Sequence, residues 1–385
     1  MEKEATRDII PHLVSIGPNH YGNPKFSDME TQKTELLDLE SREWNSQKAS
    51  SLTNALLELE EKTRKCYPHS FNHMDGNAFV RMMLTDAFFL INLFTDYPKF
   101  RKGEELPNRC IFRTRWMLPY ICEDLLMLEN QVPFFILAKV YVVLTDNESA
   151  DCLKKLALQF FKQVPLIGKV AESCRSPENP KHLLDLFHSS FVNQIDRGKH
   201  SPSSSSHKMG TKFWVDNAST LRSKGVTFIA RDREARLPLD IEFSWLGLLR
   251  IPTFYMDERI VRVLKNLLAY EQGSRQVKPY FSCVAVFFSN IATTKRDVKF
   301  LREAGIIQHQ LQVLYEAVEF SSDQDCLLKC EVERINRYAA SVPGKFISYV
   351  KRILLPKFVP FVLLFVTLFL SLSPADTLKP FKIRA

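Results

Sequence analysis

With 385 residues, 45% of them hydrophobic, the chain can bury a sizeable core in one large domain or two smaller ones. Only 12 residues are glycine, about 3% against a usual figure of about 7%. The patterns G-x-G-x-x-G, G-x-x-x-x-G-K-S/T, G-x-S-x-G and H-E-x-x-H are all missing, which counts against the commonest nucleotide-binding and hydrolytic classes. The formal charge of +8 is concentrated at one end: residues 341–385 carry seven basic side chains (Lys345, Lys351, Arg352, Lys357, Lys379, Lys382 and Arg384) against one acid, Asp376. A basic excess bracketing one apolar stretch is the pattern of a membrane flank, not of a phosphate-reading surface, so nucleic acid is not an expected partner.

In chain order, Val14 and Ile16 alternate with polar neighbours before the glycines and prolines of residues 17–24 force a turn. Ser27-x-x-Glu30 has the spacing of a capping box, predicting a helix that opens near Asp28 and runs through Leu36, Leu37 and Leu39. A second helix is predicted over Leu52–Lys65, with Leu52, Leu56, Leu57 and Leu59 at helical spacing and Glu60, Glu61 and Lys62 facing water. Phe79–Phe94 is apolar on almost every side but is interrupted by Arg81 and Asp86, and it reads as a core helix rather than a membrane span. Asp86 must then be paired or protonated, since a buried lone carboxylate is costly.

The stretch Asp124–Leu137 reads D-L-L-M-L-E-N-Q-V-P-F-F-I-L. Pro133 biases its predecessor away from helix, so Leu125–Leu128 and Phe134–Val143 are expected to meet at a corner. Glu129, Asn130 and Gln131 sit at that corner, where the free backbone groups of a broken helix can supply partners. After a helical segment at Leu183–Phe187, the chain turns polar between Asn193 and Asp216, with S-P-S-S-S-S at 201–206 marking a flexible boundary. Beyond it, Gly225–Ala230, Leu239–Trp245 and Leu249–Tyr255 are short runs rich in β-branched and aromatic residues, predicting a small antiparallel sheet. Helices are predicted again at Glu258–Glu271 and Tyr280–Thr293, followed by one with Thr294 and Asp297 as capping box and Gly305 as its stop.

Phe358–Ala375 is eighteen residues without a charge. At 1.5 Å per residue it spans about 27 Å, the thickness of a thin bilayer. Basic residues on both sides favour a membrane helix over a soluble core helix. Only ten residues follow it, so insertion after synthesis would leave the large domain in the cytosol. The expected organisation is a helical part at 1–192, a variable Ser-rich loop at 193–216, a small sheet with helices at 217–340, a basic juxtamembrane stretch at 341–357, a transmembrane helix at 358–375 and a short basic tail at 376–385. The fold class is mostly α (α+β).

Other groupings carry little chemistry. Cys66, His69 and His73 could share a helix face as zinc ligands, but Pro68 breaks that helix and no fourth ligand is near. Cys326 and Cys330 are four apart without histidine support. With no apolar leader visible and no C-x-x-C pair, the eight cysteines are expected to be free thiols. Glu123, Asp124 and Glu129 are close in sequence, but nothing fixes the separation that acid–base work needs.

Several stretches resemble the plant family known as domain of unknown function 247: Val14–Gly22 (V-S-I-G-P-N-H-Y-G), Met29–Lys33 (M-E-T-Q-K), Met82–Phe94 with Asp86, the elbow, and Leu183–Phe187. Ala218–Phe228, Ile251–Asp257, Asn266–Gln272 and Asp297–Ile307 continue the likeness in the family's order, so that it covers roughly residues 11–307. The resemblance implies a mostly helical plant protein with a C-terminal membrane helix and no established activity. Some relatives are implicated as pollen-side determinants of grass self-incompatibility, which implies recognition or signalling. At both ends the pattern departs from the family's. The extended segment before Val14 and an Asn-Pro-Trp opening of the terminal span are missing, and the sequence past Ile307 is unfamiliar, as a truncated or mis-spliced gene product would give.

The resulting expectation is a membrane-tethered, non-enzymatic recognition or regulatory protein with no catalytic, cofactor-binding or metal residues. Its partners would be the lipid bilayer, through the C-terminal segment, and an unidentified protein, with no small-molecule substrate. The alternatives are an enzyme of unrecognised type using Asp86 or Glu129 in a cleft, and a soluble scaffold whose C-terminal helix packs internally.

Overall fold

The computed structural model describes residues 10–69, 71–106, 110–114, 116–146, 149–164, 179–195, 214–231, 237–309 and 327–341. The serine run at 201–206, the basic stretch from 342 and the apolar segment 358–375 lie outside these residues.

The fold is α+β and mostly helical, and its core is continuous from Val14 to Ala339. In chain order the helices of the first half are α1 (Ser27–Ser41), α2 (Ser46–Leu57), α3 (Glu60–Arg64), α4 (Gly76–Arg101), α5 (Cys110–Arg113), α6 (Met117–Asp124), α7 (Phe134–Thr145), α8 (Asp151–Phe161) and α9 (Leu183–Ile195). Helix α4 is the centre, with α1, α2, α7 and α8 packed around it. Asp75 caps it by accepting from the Ala78 amide at 2.7 Å. Among the described residues α4 is the one helix long and apolar enough to cross a membrane by length and composition, yet 72% of its apolar window is buried in the protein. It is the core helix that the interruptions at Arg81 and Asp86 predict.

Two local expectations change. Ser27-x-x-Glu30 is not a capping box: Asn23 accepts from the Lys25 amide at 3.0 Å and Pro24 starts a 3-10 turn, so the helical path begins upstream and Ser27 is already inside it. The single helix predicted over 52–65 is two, α2 and α3, separated at Glu58–Leu59.

The second half comprises α10 (Ala218–Ser223), β1 (Thr227–Arg231), β2 (Glu242–Phe243), β3 (Leu248–Pro252), β4 (Phe254–Met256), α11 (Glu258–Gln272), α12 (Tyr280–Ile291), α13 (Lys295–Glu303), β5 (Ile307–His309) and α14 (Lys329–Ala340). The sheet is not the antiparallel one expected. Strand β3 lies between β1 and β2, parallel to β1 (Phe228 opposite Leu249) and antiparallel to β2 (Phe243 opposite Leu249). Leu249 and Ile251, both fully buried, take β3 to the centre, and the two-residue β2 is left as an edge.

The run expected over 249–255 also divides. Pro252 has no amide proton for the ladder, Thr253 turns its hydroxyl to the Gly305 carbonyl at 3.1 Å, and β4 pairs in parallel with β5 instead. The Thr294–Asp297 capping box is present on α13, and Asp297 also accepts from the Ser219 amide at 2.8 Å, fixing α10 against it.

Candidate functional site

The elbow is a polar cradle around residues 12–17. Helix α6 ends at Asp124, the chain turns through residues 125–130, and Pro133 starts α7, whose first amide, Phe134, donates to the Lys181 carbonyl at 2.7 Å. Helix α6 ends earlier than predicted, so Leu125–Leu128 belong to the turn. Buried Asp124 accepts from three successive amides: His12 at 2.7 Å, Leu13 at 2.7 Å and Val14 at 3.0 Å. Asn130 accepts from the Ile16 amide at 2.7 Å and donates to the carbonyls of Val14 (3.0 Å) and Asp124 (2.9 Å). Gln131 donates to the carbonyls of Leu125 and Met127 at 2.8 and 2.7 Å, and its side-chain oxygen accepts from the Leu184 amide at 3.2 Å. The orphan groups of two helix ends are thereby satisfied.

Asp86, from the middle of α4, completes the cradle. It accepts from the Gly17 amide at 2.7 Å and from the ammonium of Lys33 on α1. Lys33 is fully buried; it also donates to the Ser15 carbonyl at 2.8 Å and forms an ion pair with Glu30 at 2.7 Å. Burial alone would lower the lysine's pKa, but the Asp86 and Glu30 carboxylates outweigh it and hold the ammonium protonated. Burial pushes the Asp86 carboxyl up, against the pull of Lys33 and the Gly17 amide. Gly17 itself has φ +77°, and a methyl there would run into the Gln131 carbonyl oxygen.

The three clustered carboxylates therefore diverge. Glu129 is exposed and takes the Asn19 side-chain amide at 2.8 Å. Asp124 is consumed by backbone; burial raises its pKa to about 6, opposed by its three amides and Arg262, leaving a carboxylate at neutral pH. Glu123 lines a small, partly open space of about 20 Å³ with Pro119, Cys122, Gln163, Arg259 and Val263, room for about one water. Neither of its oxygens has a hydrogen bond within the protein, and the nearest cation, Arg259, is 3.8 Å away. Burial brings the Glu123 pKa to about 7, against Arg259 and Arg262. Burial likewise pushes the neighbouring Cys122 thiol well up, leaving it neutral.

His12 lies between these groups. Arg262 donates to its Nδ1 at 2.8 Å, and burial together with Arg262 and Lys25 lowers its pKa to about 4. The ring is neutral at pH 7, so its 3.8 Å approach to Asp124 is not an ion pair. The weighed zinc ligands do not converge: the Cys66 thiol turns to the Lys62 carbonyl at 3.4 Å, and His69 and His73 each set their ring against Phe71 with centroids 6.1 Å apart.

Sequence reasoning found Asp86, Asn130 and Gln131 but missed Lys33 and the role of Asp124. A signal for Lys33 was present: Met29, Lys33 and Leu37 recur at four-residue spacing and form the buried face of α1. A lysine in an apolar stripe announces a buried partner.

These features define an α+β protein whose motif residues lock its own chain in place. The chain belongs to a family of plant proteins of unknown function, DUF247, whose pattern it matches over residues 2–371. It is 31% identical to UPF0481 protein At3g47200 of Arabidopsis thaliana over 77% of this chain and 64% of that protein. It is 24% identical to a second Arabidopsis UPF0481 protein, At3g02645, over 85% of this chain and 78% of that protein. The chain thus spans just under two thirds of the length of At3g47200. No solved structure matches it.

Proposed function

We propose that this protein is a membrane-tethered, non-enzymatic recognition or regulatory protein whose large domain faces the cytosol and binds another protein. The observation that carries the non-enzymatic part is the cradle. Asp86, Asp124, Asn130 and Gln131 spend their hydrogen bonds on backbone groups and on Lys33, while Glu129 lies on the surface. A carboxylate committed to amides has little left for proton transfer. The tether rests on the uncharged stretch 358–375 and its basic flanks.

A partner surface is available in an open groove of about 740 Å³ between α10 and α13, where Arg222, Arg296 and Glu303 rim a floor that includes Phe228 and Phe300. Arg222, exposed, stacks on half-buried Phe300 at 4.7 Å, an aromatic and guanidinium pairing of the kind that interfaces favour.

The test is carbonate extraction with protease protection in plant cells, full chain beside a variant ending at Lys357. Retention of the full chain in the pellet, a domain digestible from the cytosolic side and a soluble, folded variant are the expected results. Equal extraction of both forms would remove the tether from this reading. Unfolding of the shortened variant would favour a scaffold whose last helix packs internally.

A further inference from the structure

We infer that the tip of the β2–β3 hairpin, Trp245 with Leu246, is a second membrane contact, dipping into the lipid surface and orienting the domain on it. The inference rests on the proposed tether at 358–375. Trp245 is 83% exposed and Leu246 45%. Trp116, the next most exposed aromatic among the described residues at 57%, has Tyr120 edge-on beside it with ring centroids 6.0 Å apart. A tryptophan and a leucine side by side at a tip expose apolar surface that water penalises and a lipid headgroup layer accepts.

The tip is held firmly. Gly247 takes φ +75° and donates to the Ser244 carbonyl at 3.0 Å, while the Ser244 amide donates to the Leu248 carbonyl at 2.9 Å. The hairpin rides on α14: the Phe243 amide donates to Glu331 at 3.0 Å and the Phe243 ring meets Tyr338 at 5.3 Å. Tyr338 also lies against Gly247, where a methyl group would clash with its ring.

Helix α14 leads directly into the chain that carries the tether. Residues 342–357, sixteen in number, separate Ser341 from Phe358. A chain of that length spans at most about 60 Å. A bilayer entered at Phe358 is therefore within that span of Ser341, and Tyr338, three residues before it, lies against the tip.

The charge around the tip suits an anionic lipid surface. Arg334 and Arg337 are exposed on α14, and Lys345, Lys351, Arg352 and Lys357 follow in sequence. Of the acids nearby, exposed Glu242 pairs with Arg231 at 3.0 Å, buried Glu331 pairs with Arg334 at 2.9 Å, and Glu333 is exposed, so Arg337 and the four basic residues beyond the helix carry the excess. Two apolar side chains bind a membrane weakly by themselves, but a tether supplies the high local concentration that makes such a contact persist.

The test uses the full chain in phosphatidylcholine–phosphatidylserine vesicles, with lipids brominated high on the acyl chain as the quencher of tryptophan emission. The protein has four tryptophans. We expect a loss of emission in brominated against ordinary vesicles that Trp245→Phe abolishes and Trp116→Phe leaves intact. Carbonate extraction of the same samples reads the tether separately. Extraction-resistant protein whose quenching is unchanged by Trp245→Phe keeps the tether and overturns the tip contact. Extractable protein that still shows Trp245-dependent quenching keeps the tip contact and removes the tether. Extractable protein without that quenching overturns both.

Discussion

At Asp86 and Lys33 two charges sit in the core within contact of each other, with one amide, one carbonyl and Glu30 completing their shell. Removing one partner of such a pair leaves the other charged and dry, which costs about 3–5 kcal/mol. Asp86→Asn or Lys33→Met is expected to lower the unfolding free energy by that amount in urea titrations. The double change Asp86→Leu with Lys33→Met is expected to recover a large part of it. A double variant as unstable as the sum of the singles would show that the pair's coupling to residues 15–17 matters more than its charges.

Glu123 makes the opposite case, a carboxyl with no hydrogen bond. Its pKa rises from 4.5 to about 7 in the folded protein, so the folded state holds a proton that the unfolded chain has released. The linked stability is complete below the unfolded value and is lost as pH rises toward 7. Glu123→Gln is therefore expected to stabilise the protein at about pH 8 by about 1–2 kcal/mol, after discounting for Arg259 and solvent access to the partly open space, and to have little effect at about pH 5. Equal effects at both values would remove charge burial as the cause. His12 shifts the other way: its pKa is lowered, so its contribution is present above its ordinary value of 6.5 and disappears as pH falls toward 4.

The element that these residues serve is the segment 12–17. It lies near the chain's start and belongs to no helix or sheet, yet its amides end on Asp124, Asn130 and Asp86. Hydrogen exchange at His12, Leu13, Val14, Ile16 and Gly17 is expected to be as slow as in α4, because these amides open only when the core does. Exchange at the rate of a frayed terminus would contradict the cradle. Asp124→Ala leaves three amides without an acceptor and is expected to cost about 2–4 kcal/mol while speeding exchange at residues 12–14 first. Gly17→Ala is expected to destabilise through both its φ and the Gln131 carbonyl.

Some of this element was legible. The proline after three polar residues announced a corner whose side chains satisfy backbone, and that is what Asn130 and Gln131 do. Which backbone they satisfy was not legible. Asn130 serves an amide 114 residues away and Asp86 one 69 residues away, and periodicity reports only neighbours within a turn or two.

For the whole molecule, the long apolar run at α4, the strong amphipathic pattern of α11 and the Thr294–Asp297 cap each followed from local sequence. Their signals lie in spacing and in hydrogen bonds three or four residues long, which the chain carries wherever it goes. Strand pairing did not follow. Three β-rich runs invite an antiparallel meander, but β3 takes the centre because Leu249 and Ile251 must be covered on both sides, and β4 leaves for β5. That choice depends on how much apolar surface each strand exposes once the helices are in place.

The sequence by itself thus determined the helical character, the buried central helix, the corner at Pro133 and the family motifs. The tertiary structure alone decided that Lys33 is the partner of Asp86, that Asp124 binds residues 12–14, and that the sheet is mixed. Propensity and periodicity act over a few residues. The partners of a buried charge or a central strand are chosen by closure of a core whose contacts reach from Val14 to Ala339.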